Sequence, residues 1–119
     1  MQQTEFLNNI VFKDLKNLNK DTKKKEIIYF SEEEFQIVLQ RAEHFGISIY
    51  SIETWKNKKS QAISVNEDFR KKATDPRWYK KAFLTFKNTE KKLNYSATYK
   101  VSNKLLAREN SSKISVNDK

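Results

Sequence analysis

Apolar residues recur along the chain with distinct spacings, and each spacing predicts an element. Between Thr4 and Asn19, Leu7, Val11, Leu15 and Leu18 follow at four, four and three, with Phe6 and Ile10 beside them. Residues three and four apart share a helix face, so this stripe predicts an amphipathic helix over 4–19. The polar run Asn19–Lys25 breaks the pattern. Residues 1–20 are therefore expected to form an N-terminal amphipathic helix able to separate as an arm. Glu26-Ile27-Ile28-Tyr29-Phe30 is short, β-branched and aromatic, the composition of a buried strand.

Ser31-Glu32-Glu33-Glu34 has the spacing of a capping box. In that motif the Ser31 hydroxyl accepts from the backbone N–H of Glu34, and the Glu34 carboxylate reaches back to residue 31. Phe30 and Phe35 flank it as a hydrophobic staple. The three glutamates also suit the positive end of a helix dipole. Phe35, Val38, Leu39, Ala42 and Phe45 form one face, and Gly46, the only glycine, is placed to end the helix in a left-handed conformation. A helix over 32–45 follows.

Residues 47–55 and 61–65 are rich in β-formers and flank a polar stretch, which predicts a hairpin whose tip carries Lys56, Lys58 and Lys59. Without glycine, a tight two-residue turn is not expected there. Asn66 is placed to cap a short helical turn through Arg70. Asp75-Pro76 then opens another helix, with Asp at the N-cap and Pro at the first helical position. Trp78, Ala82 and Phe86 recur every four residues on it, beside Tyr79 and Phe83, and Arg77, Lys80, Lys81 and Lys87 occupy the opposite face. Farther on, Leu93, Tyr95, Ala97, Tyr99 and Val101 alternate with polar residues. Leu93, Ala97, Val101 and Leu105 also fit a helix at steps of four, but the Tyr, Thr and Val content favours a strand. A short helix over 102–109 and a disordered tail over 110–119 complete the reading, with Ile114 and Val116 able to order on a partner.

These elements predict an α+β fold: a single small domain over 26–109, with a short antiparallel sheet of three or four strands packed against two or three amphipathic helices. Composition agrees that the chain folds. Aromatic residues are 13% of the 119 residues, far from the aromatic-poor content of chains that stay unfolded. There is no cysteine, which excludes disulfides and thiolate zinc sites. Residues 1–5 lack the basic start of a signal peptide, and no stretch approaches a membrane span. A soluble, cytoplasmic protein with no membrane partner is expected.

Charge changes the picture more. The net charge is +9, yet residues 1–60 hold ten Lys/Arg against nine Asp/Glu, while residues 61–119 hold fourteen against six. Such asymmetry points to an acidic macromolecular surface as partner, either protein or nucleic acid. Richness in Asn, Ile and Lys is also what an AT-rich coding bias produces. The candidate basic surface comprises Arg70, Lys71, Lys72, Arg77, Lys80, Lys81, Lys87 and Lys91, joined by Lys58 and Lys59 if the hairpin folds nearby, with Trp55 as a stacking face for an unpaired base. The stripe is poor in arginine, so contact with phosphates rather than base reading is expected.

Catalytic inventories are thin. One histidine, His44, stands in the last turn of a helix without a second ligand at metal spacing. One glycine excludes nucleophile elbows and phosphate loops. Glu53 and Lys56 are three apart on one strand and so face opposite ways, unlike a nuclease acid–lysine pair. Glu32, Glu33 and Glu43 remain free to meet a basic partner. No catalytic residue, metal or cofactor is expected. The residues point to a small binding protein, or alternatively to a bacterial inhibitor or immunity-type protein that neutralises a partner enzyme by covering its site. A third possibility is a subunit docking through the N-terminal helix. The likeness to immunity proteins is one of size and character, carried by no motif.

Overall fold

Residues 2–19 and 27–108 are described in the structure, a computed structural model. The start of the first predicted strand at Glu26, the lysine run Lys23–Lys25 and the tail 110–119 lie outside the described residues. The N-terminal helix is much shorter than its apolar stripe predicts. α1 (Gln3–Phe6) opens directly into a π turn over Leu7–Val11, closed by a 2.7 Å bond from the Phe12 N–H to the Leu7 carbonyl. This wider turn aligns residues five apart, so Phe6 with Val11 and Leu7 with Phe12 all face the core. Asp14 then adopts a left-handed conformation, and the Arg41 guanidinium donates to the carbonyls of Val11 (2.9 Å) and Lys13 (2.8 Å). Leu15 and Leu18 therefore follow the helix rather than extend it. The segment expected as a separable arm instead places Phe6 and Val11 at the centre of the core: Phe6 meets Phe45 edge to face, and Phe12 packs on Phe30.

β1 is confined to Phe30–Ser31, and α2 runs Glu32–Phe45 as its pattern predicts. Ser31 Oγ accepts from the Glu34 N–H at 3.3 Å. The Glu34 carboxylate, however, turns away from Ser31 and accepts from the backbone N–H of Lys16 at 2.8 Å. Half of the capping box is thus replaced by a tertiary bond that ties the N-terminal segment to α2. Gly46 ends the helix at φ 66°, and the Ile47 N–H bonds the Ala42 carbonyl.

β2 (Ser48–Lys56) and β3 (Lys59–Val65) form the predicted hairpin, but through a two-residue turn. Asn57 and Lys58 hold φ of 53° and 65°, and Lys56 pairs with Lys59. Positive φ at both central residues is the type I′ pattern, whose twist matches that of the strands. Asn57 tolerates it, and Lys58 does so at a steric cost of about 1–2 kcal/mol. A 3₁₀ turn (Asn66–Phe69) follows. Its N-cap is Val65, and the Asn66 amide instead donates to the Lys71 carbonyl. α3 (Pro76–Thr89) begins at the Asp75 cap, and Asn94–Lys100 is the strand β4. Residues 103–108 form a short helix.

The four strands make one antiparallel sheet in the order β1-β4-β2-β3. Directly opposed residues share a face. Ile49, Ile52 and Thr54 of β2 therefore lie with Tyr99, Ala97 and Tyr95 of β4, toward the helices. Phe35 stacks on Tyr95, Phe83 meets it edge to face, and the Trp78 indole donates to the Ile49 carbonyl. Burial pushes the Tyr95 phenol up to about 12, with the Glu32 carboxylate adding to the shift. The opposite face carries Ser51, Glu53 and Trp55 beside Ser96 and Thr98.

Candidate binding surface

α3 divides its residues cleanly. Trp78, Tyr79, Ala82 and Phe83 are buried, which turns Arg77, Lys80 and Lys81 outward. Two of the four predicted cations are already engaged. Arg77 folds back on Asp75, its guanidinium 2.7 Å from one carboxylate oxygen and its backbone N–H 2.9 Å from the other. The hydrogen bond from the Arg77 side chain, then that from its backbone, holds the Asp75 carboxyl at about 2, below its ordinary 3.8. Lys80 reaches across to α2 and pairs with Glu43 at 2.6 Å. Glu43 is thus not free for a basic partner. Lys87 lies over the Phe83 ring, 5.1 Å from its centroid. Among the described residues, neither Lys81 nor Lys87 pairs with a carboxylate.

The remaining candidates are not gathered into one patch. Arg70, Lys71 and Lys72 are exposed in the loop before α3, at the end of the sheet where the Ile49 N–H bonds the Ala73 carbonyl. Lys58 and Lys59 stand at the other end of β2, where Lys56 of the same hairpin pairs with Glu90 just beyond α3. Seven residues of strand separate the two ends, roughly 23 Å. Lys91 lines a polar cleft of about 430 Å³ with Glu32 and Glu33, a mixed-charge setting rather than a cationic one. Trp55 is not available as a stacking face. It is only 9% exposed, stacks on Tyr29 at 5.4 Å, and donates through Nε1 to Ser96 Oγ at 2.8 Å.

One residue missed by the sequence reading changes the character of this surface. Leu84 is 55% exposed in the middle of the cationic face, four residues after Lys80 and three before Lys87. It borders a groove of about 320 Å³ between α2 and α3. α2 contributes Gln36, Leu39, Gln40 and Glu43; α3 contributes Lys80, Phe83, Leu84 and Lys87. Each set is a row at i, i+3, i+4 and i+7, the stripe that one side of a helix presents to a neighbour. The signal for Leu84 was in the chain, an apolar residue on the charged side of the wheel. The groove was not, because its two rows come from helices that only packing brings together.

Among the described residues, no group of three or more His, Cys, Asp or Glu is placed to hold a metal ion, and no helix is long and apolar enough to cross a membrane. Compared with protein-family models, with curated proteins and with solved structures, the chain finds no match. The geometry alone carries the functional reading.

Proposed function

We propose that the chain is a small non-enzymatic binding protein that engages an acidic macromolecular surface, nucleic acid or protein, through the outer face of α3. The observation that carries this reading is the grouping of Lys81 and Lys87, unpaired with carboxylates among the described residues, on a helix whose other face is committed to the core. The chain half that contains α3 also holds most of the positive excess. Cations held on a rigid helix attract an acidic surface over a Debye length without ordering a loop. An inhibitor or immunity-type protein is the second reading, and Leu84 favours it over a nucleic-acid target. An apolar side chain at the rim of a groove between helices gives a protein segment a contact that a phosphate backbone cannot use.

The test measures binding to an oligodeoxythymidine and to polyglutamate across a salt series. At low salt at least one probe should bind, with affinity falling as salt rises. The double substitution Lys81→Glu with Lys87→Glu should weaken binding by about tenfold or more, equivalent to about 1.4 kcal/mol. Absence of binding to both probes at low salt would overturn the proposal.

A further inference from the structure

We infer that the groove between α2 and α3 receives an acidic amphipathic helix of a partner protein. The inference rests on the binding role proposed above and narrows its partner to protein. Both walls repeat at i, i+3, i+4 and i+7. They span seven residues, about 10 Å or two helical turns, the length over which helix-in-groove recognition places its anchors. Leu39 and Phe83 form a buried apolar floor, and Leu84 stands exposed at the rim.

Charge selects the occupant. The α3 wall offers Lys87, with Lys81 on its flank, whereas the α2 wall offers the neutral amides Gln36 and Gln40, and the Lys80–Glu43 pair cancels its own charge across the groove. A helix seated here meets cations along one edge and amides along the other, which suits Asp and Glu on one flank of an apolar stripe. A phosphate backbone would gain from the lysines, but it has nothing apolar to set against Leu84. A second copy of this chain is disfavoured because each brings a net charge of +9.

A displayed library of random peptides of about 16 residues, four helical turns, selected on the full-length protein provides the test. Enriched peptides should carry Leu, Ile or Phe at helical spacing with Asp or Glu alongside, and should gain helicity on binding. Leu84→Glu should weaken them by at least about tenfold. Gln40→Glu, which sets a like charge against the acidic helix at an exposed position on the opposite wall, should weaken them as well, so the result does not hang on one variant. Thermal unfolding of both variants checks that the fold is retained. Enriched peptides that are acidic but lack apolar anchors, or that ignore both substitutions, would overturn the groove as the seat while leaving a charge-driven binding surface intact. Failure to enrich any acidic apolar peptide would overturn it too. Tight oligodeoxythymidine binding that Lys81→Glu abolishes would, in that event, assign the same face to nucleic acid.

Discussion

The two faces of the sheet are built on different physical chemistry. Toward the helices, Ile49, Ile52 and Tyr95 pack against Phe35, Trp78 and Phe83, and rings meet rings at centroid separations of 4.9 to 5.6 Å. On the far face the buried residues are mostly polar and satisfied in pairs: Ser51 shares a 2.8 Å hydrogen bond with Thr98, and Trp55 donates to Ser96. Ser60 donates to Glu53 on the same side. Apolar burial acts roughly in proportion to area and supplies most of the driving force for folding. A satisfied hydrogen bond contributes about 1 kcal/mol net, yet leaving its buried partner alone costs more. The helix side should therefore dominate stability, and the far side should contribute less, through polar pairs that are costly to leave half made.

The largest test of this contrast is Phe35→Ala, which empties a site against Tyr95 and Phe83. It should destabilise the protein by about 3–5 kcal/mol, measured by urea unfolding. A loss below that of any far-face substitution would break the comparison. Alkali probes the same side without mutation. The Tyr95 phenol is raised from 10.0 to about 12 in the folded chain, so the unfolded state ionises first. The stability it contributes is complete below pH 10 and is lost as pH rises through about 12. Circular dichroism and the ionisation of Tyr95 itself, followed by NMR of its labelled ring, should change together across that window; ionisation of Tyr95 at pH 10 in a still-folded chain would refute the burial argument. On the far face, Trp55→Phe keeps the stacking on Tyr29 but leaves the Ser96 hydroxyl without its partner. A smaller cost of about 1–2 kcal/mol is expected. Lys58→Gly is expected to stabilise by about 1 kcal/mol, since glycine adopts the left-handed turn without steric cost. That turn sets the register and so assigns each residue to its face; destabilisation would show that the Lys58 side chain has a role beyond the backbone.

Local signals carried a large part of the fold. α2 is bounded by Ser31 and Gly46 because a capping hydroxyl and a left-handed glycine act within a few residues of themselves. Asp75-Pro76 starts α3 for the same reason. The strand over 94–100 prevailed over the competing helix spacing because its alternating residues meet β2 on one side. Elsewhere, distant partners overrode the local pattern. Glu34 has the right spacing to complete its box, but its carboxylate accepts from the Lys16 N–H at 2.8 Å instead. Asn57-Lys58 makes a turn suited to glycine because the twist of the joined strands requires it.

What the sequence by itself determined is the set of short-range decisions: two capped helices, the alternating strands, the two-sided α3 and the placing of positive charge in the second half. These depend on contacts a few residues long, which period and capping chemistry encode directly. Only the tertiary structure decided the rest. It drew Phe6 and Val11 into the core, buried Trp55, spent Arg77 and Lys80 on carboxylates, separated Arg70–Lys72 from Lys58 and Lys59, and set Leu84 beside Leu39 and Phe83 in a groove. Each of these turns on which elements lie side by side, and burial and charge pairing act between surfaces that the chain brings together only when it folds.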